Sequence, residues 1–167
     1  MNFNFKYILL LLFFLLLQIL WFNHIKLLGY ITPIIFLYPL LILPPDKNEN
    51  LQLFLAFFSG LFLDIIIHTG GVFTAVSVFI VYTKKIFFWY LDKPGKKPVN
   101  NLFELDFFKK IIYYVIYIFI GIFLIALLQS FQISFVISRL PYIFINTFFS
   151  LFFIIFIEYL FLIRENK

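Results

Sequence analysis

No cysteine occurs in the 167 residues. Disulfides, thiolate metal sites and cysteine nucleophiles are therefore excluded. Histidine is scarce too, with only His24 and His68. A serine triad or a zinc site would have to be assembled from these two and Asp64, and no nucleophile motif surrounds Thr69 or Ser130 at the same level. The few glycines form no phosphate cradle of the nucleotide or dinucleotide type. With these absences the chain is expected to be no enzyme and to carry no catalytic residue, metal or cofactor. Charge is the other shortage. Asp, Glu, Lys and Arg make up 13% of the chain, about half the share of an ordinary soluble domain.

What fills the space is hydrocarbon. Hydrophobic residues are 64% of the sequence and the mean hydropathy is +1.07. A soluble chain of this size keeps too much surface to hide so much apolar area, so lipid is the expected solvent. The expected class is an all-α, polytopic membrane protein forming one bundle over residues 1–167. About 20 apolar residues cross a bilayer as a helix, and six runs qualify: 7–22, 27–43, 51–67, 72–91, 111–128 and 141–163. The first resembles a signal peptide in outline. No small-residue cleavage site follows it, and Trp21, Phe22, Asn23 and His24 stand there instead, so it reads as an uncleaved span. Pro33 and Pro39 are expected to kink the second. The fourth has only twelve uncharged residues before Lys84 and Lys85. Either the lysines snorkel from a full-length helix ending at Leu91, or the span is short and Trp89 and Tyr90 lie flat at the interface. The longer helix is favoured.

The basic residues are unevenly spread. Seven of the thirteen lie between Lys84 and Lys110. With six spans, eleven of the thirteen fall on the side that holds both termini, which makes that side the cytoplasm and the bacterial inner membrane the expected location. A basic chain otherwise suggests nucleic acid, but here the charge sits in loops between apolar runs and serves topology. The loop 92–110, with Lys93, Lys96, Lys97, Lys109 and Lys110, is expected at the inner surface, facing anionic lipid or an acidic partner. Its second half is apolar with interspersed charge, so it either lies on the membrane or leads into the fifth span.

Charges inside spans mark sites or buried pairs. Ala56, Gly60, Asp64 and His68 recur at spacing four and share one helix face. Small residues at this spacing let a neighbouring backbone approach. Asp64 is expected to point into the bundle near the outer surface and to contact Arg139, which topology puts at the same level. A structural pairing is favoured over ion coupling, because a relay needs several acids along a path. Glu158, near the inner end of the sixth span, is expected to pair with Lys84 or Lys85. Gly70 and Gly71 form a tight outer turn. Gln18, Gln129, Gln132, Asn146 and Thr147 are positioned to bond between helices.

Three stretches make the chain resemble the bacterial rod shape-determining protein MreD family. Gln18, Ile19 and Leu20 with Gly29, Thr32 and Pro33 look like that family's first helical hairpin. Gly60, Leu61 and Asp64, followed by Gly70, Gly71, Thr74 and Ala75, look like its central motif. The length and the lack of a soluble domain also fit. The resemblance implies a non-enzymatic membrane subunit of the cell-elongation machinery, helping to organise lateral peptidoglycan synthesis. The implied partners are an MreC-like bitopic protein, an MreB-like filament and the peptidoglycan synthases, besides membrane lipids. A partner's single helix would pack into the groove at Ala56 and Gly60. The family is similar in outline to the six-helix substrate-binding subunits of vitamin transporters, which gives the alternative function. That alternative predicts a polar-lined pocket opening outward, with Asp64, His68, Gln129 or Gln132 in it; the scaffold reading predicts a lipid-facing groove and no such pocket.

Overall fold

The computed structural model describes residues 3–23, 32–44, 48–91, 102 and 105–165. Among the described residues every regular element is helical. Helix α1 (Phe3–Leu17) widens into one π-helical turn (Gln18–Phe22). Then come α2 (Leu37–Leu41), α3 (Glu49–Ile67), α4 (Val72–Leu91), α5 (Phe107–Ser130), α6 (Ile133–Ser138) and α7 (Leu140–Glu165). Four of these, α3, α4, α5 and α7, are long and apolar enough to cross a membrane. At 1.5 Å per residue they span from about 28 Å to about 39 Å, so the chain is a helical membrane protein by length and composition. Each presents apolar side chains on both its buried and its open face. Phe54, Phe58, Phe62 and Ile65 of α3 point outward while Ala56, Gly60 and Leu63 point inward. Helices that are apolar all round need lipid on the open side.

The second predicted span is corrected. Over its described part the chain is not a continuous helix: residues 32–35 have no regular structure and α2 is five residues long. Pro33 and Pro39 each lack an N–H, and Pro39 falls inside α2 where a longer helix would need that donor. The segment is also not lipid-facing. Every residue from Pro33 to Pro44 is buried, with Ile35, Leu37, Leu40 and Leu41 at zero exposure. It threads the middle of the bundle. α2 touches α1, α4 and α5, and the ring of Tyr38 lies between Phe14 of α1 at 5.0 Å and Tyr114 of α5 at 5.9 Å. Gly121 of α5 makes room for it, since a Cβ there would come within 2.7 Å of Leu37 Cδ1.

A second departure is α6. The stretch between the fifth and sixth runs is no plain loop. It holds a short helix in which Ile133 is 71% exposed and Ile137 59%, just after Phe131, which is 84% exposed. Such a face suits the boundary between hydrocarbon and headgroups. Helix α4 runs unbroken to Leu91, although its two lysines do not both snorkel, as described next.

Candidate functional site: two helix ends and a polar cavity

A close backbone contact joins α3 to α4. Gly60 faces the first turn of α4 so closely that a Cβ would lie 2.5 Å from Thr74 Cα and 2.7 Å from the Phe73 carbonyl oxygen. Ala56 is fully buried one turn below. The small-residue groove is therefore filled by the chain's own α4, a correction to the expectation that a partner helix would occupy it. One turn above Gly60, the Asp64 carboxylate collects four donors. Phe73 N–H donates to Oδ1 at 3.0 Å and Thr74 N–H to Oδ2 at 2.8 Å. The Thr74 hydroxyl donates to Oδ2 at 2.6 Å, and the Thr69 hydroxyl donates to Oδ1. The first N–H groups of a helix have no intrahelical partner and carry partial positive charge. Asp64 thus caps α4 from the preceding helix. The turn between them leaves α3 through His68, Gly70 and Gly71, all with positive φ (58°, 65° and 98°). His68 is exposed and lies outside the carboxylate's shell.

The expected contact of Asp64 with Arg139 is absent. The acid's acceptor capacity is taken by α4, while the Arg139 guanidinium lies 4.4 Å over the Phe135 ring at the junction of α6 and α7. Opposite charge was the wrong partner to look for, because a helix start nearby supplies the same compensation with better geometry.

Glu158 shows a second exchange of partners. It pairs with Lys110 Nζ at 2.6 Å, both side chains being largely buried. Neither Lys84 nor Lys85 reaches it. Lys85 turns out to Glu49 at the start of α3. Lys84 turns inward, fully buried, and donates to the carbonyls of Leu40 at 2.9 Å and Leu43 at 3.0 Å. The Leu40 carbonyl is one of those left open at the end of α2, and that of Leu43 follows two residues beyond the helix. A cation at a helix C-terminus is the mirror of an anion at an N-terminus. Of the basic loop, Lys93, Lys96 and Lys97 lie outside the described residues. Lys109 pairs locally with Asp106 at 3.0 Å, and Lys110 belongs to the bundle rather than to a free surface.

Lys84 is one of several side chains that stitch residues 32–44 into place. Ser150 Oγ of α7 accepts the Ile34 N–H at 2.8 Å. Gln18 Oε1, in the π-helical turn, accepts the Ile35 N–H at 2.8 Å, and its amide donates to the Pro33 carbonyl at 3.1 Å. Tyr113 donates to the Leu41 carbonyl at 3.0 Å, and Gln52 to that of Pro44 at 2.6 Å. Irregular backbone at membrane depth survives only where protein satisfies it. Here helices α1, α3, α4, α5 and α7 each contribute a side chain to that task. Of these, Gln18 stood out in the sequence as a polar residue in an apolar run. Ser150, Gln52 and Tyr113 did not, because nothing local distinguishes them.

Where this segment begins, the bundle encloses a cavity of about 610 Å³ at the end carrying Gly70 and Ser130. Thr32, Gln129, Gln132, Arg139 and Asn146 line its polar side, and Ile34, Phe73, Ile122 and Ile143 its apolar side. A shallower one of about 450 Å³ touches His68, Gly70, Gly71 and Gln129. Asp64 lines neither. Among the described residues no group of His, Asp and Glu could hold a metal ion. The chain matches no family model, no curated protein and no solved structure.

Proposed function

We propose that the chain is a non-enzymatic, multi-pass subunit of the bacterial cytoplasmic membrane that helps organise lateral peptidoglycan synthesis during cell elongation. One observation carries this reading. The stretch on which the likeness to the rod-shape family rests works as a single built unit: Gly60 admits the start of α4, Asp64 caps it, and Gly70 and Gly71 supply the positive-φ turn between them. A motif whose residues serve one junction is harder to match by shared hydrophobicity alone. In this reading the basic loop with Lys93, Lys96 and Lys97 faces the cytoplasm, and both termini lie on that side. The partners are a bitopic MreC-like protein, an MreB-like filament and the wall synthases. They meet outward-facing helix surfaces, since the Ala56 and Gly60 groove is occupied. Depletion in the native host tests it: rounded cells are expected, and affinity capture in mild detergent should recover a single-span protein. Normal rods after depletion count against it.

A second reading is favoured by one specific feature, the cavity lined by Gln129 and Gln132. A substrate-binding subunit of a vitamin-type transporter calls for a polar-lined pocket and the scaffold reading for none; of the residues expected in it, Gln129 and Gln132 line this cavity while Asp64 and His68 do not. Depletion would then create a nutrient requirement in cells of normal shape.

A further inference from the structure

We propose that the cavity at the Gly70 end binds a hydroxylated phosphate anion, its charge held at the mouth by Arg139 and its hydroxyl by Asn146 within. The site stands whichever of the two functional readings holds. Its volume of about 610 Å³ lies in the range of small-molecule sites, about 300–1,000 Å³. Its residues divide by chemistry. Among the described residues that line it, Arg139 is the one that carries a charge and none is a carboxylate. Among the described residues the guanidinium has no acidic partner; it lies over the Phe135 ring, 4.4 Å from its centroid. An ionisable group at the edge of hydrocarbon normally finds a counter-charge. Deeper in, Asn146 is 2% exposed and its Oδ1 has no hydrogen-bond partner. A buried acceptor without a donor is costly, and a native bundle keeps one where something else supplies the donor. The cavity thus has an anion need at its mouth and, in its wall, an amide oxygen without a donor, which a ligand hydroxyl meets once the Asn146 side chain turns to the cavity. A phosphate carrying hydroxyls meets both.

The rest of the cavity adds a preference about the source. Ile122, Ile125 and Ile143 form apolar wall, and Phe131 at the end of α5 and Ile133 of α6, the helix that carries Phe135, are open to the surroundings. In this proposal Arg139 lies at the level of the lipid phosphates. A glycerol phosphate group attached to acyl chains could seat its head at Arg139 and lay hydrocarbon along the isoleucines, whereas free glycerol phosphate would use the polar half only.

The test uses the purified full chain in detergent, measuring the thermal unfolding midpoint against added phosphatidylglycerol, phosphatidylcholine or sn-glycerol 3-phosphate. A saturable rise with phosphatidylglycerol and none with phosphatidylcholine is expected. If glycerol 3-phosphate gives an equal rise at similar concentration, the phosphate is taken in soluble form; if only the lipid acts, it is taken from the membrane. Arg139→Gln, at an exposed position, should weaken the response about tenfold, and Asn146→Val should weaken it as well. Lys85→Gln, which removes a surface cation elsewhere, should leave it unchanged. The proposal is overturned if neither phosphate compound acts, if phosphatidylcholine acts as strongly as phosphatidylglycerol, or if Arg139→Gln binds like the wild type. Should Asn146→Val fail to fold, the Arg139 and Lys85 variants decide the matter alone.

Discussion

The α3–α4 hairpin and the broken segment 32–44 solve the same problem at opposite scales. Each has a buried helix end, and each meets that end with an ionisable side chain: Asp64 at the N-terminus of α4, Lys84 at the C-terminus of α2. In the hairpin the carboxylate comes from nine and ten residues away. In the broken segment the satisfying groups come from as far as 116 residues away. Both charges are thus compensated by backbone dipoles. The only largely buried acid–base pair among the described residues, Glu158 with Lys110, belongs to neither. The hairpin's capping bonds lie within one pair of neighbouring helices. The broken segment is complete only when five helices have assembled around it.

Substitutions can break or sharpen this contrast. The largest effect is expected from Gly60→Leu. The added side chain meets backbone rather than a movable tip, so α3 and α4 cannot close, at a cost of more than about 3 kcal/mol. The folded fraction recovered in mild detergent should collapse; recovery at the wild-type level would mean the hairpin is not closed at Gly60. Next comes Gln18→Leu. It strips bonding partners from the Pro33 carbonyl and the Ile35 N–H in a buried setting, which should cost about 2–3 kcal/mol. Equilibrium unfolding in detergent reads it, and a stability equal to the wild type would show that segment 32–44 does not depend on α1.

Asp64→Asn ranks third. The amide still accepts on one side but loses the charge at the helix start and one acceptor atom, an expected loss of about 1–2 kcal/mol. Abundance should fall while membrane insertion persists. If Asn is as stable as Asp, the charge is not what caps α4. Lys85→Gln should change stability by less than about 0.5 kcal/mol, because Lys85 and Glu49 are 38% and 41% exposed. An effect as large as that of Asp64→Asn would remove the distinction between capped and surface charges.

These differences also explain what could be read in advance. Long apolar runs located α3, α4, α5 and α7 because helix length and hydropathy are local properties. The importance of Gly60 and Asp64 was visible too, since spacing four on a helix puts them on one face. Asp64 was assigned the wrong partner because charge invites a search for opposite charge, whereas the start of α4 lies a turn away and needs an anion. The run 27–43 was read as a helix because apolar count does not separate a lipid-facing helix from a buried broken one; Pro33 and Pro39 signalled a kink and meant a break. Ser150 and Gln52 carried no sign at all. A polar residue is recognised as a backbone partner only once the backbone it serves has been located, and that depends on tertiary assembly.

The central claim is that residues 33–43 run through the inside of the bundle as broken structure. Carbene footprinting of the purified chain in bilayers containing a diazirine-bearing lipid, read by mass spectrometry, tests it most directly. Adducts are expected on the outward residues Phe54, Phe58 and Phe62 and none from Pro33 to Leu43. Adducts recurring every three or four residues through that stretch would mean a continuous helix against lipid, and the account would be contradicted.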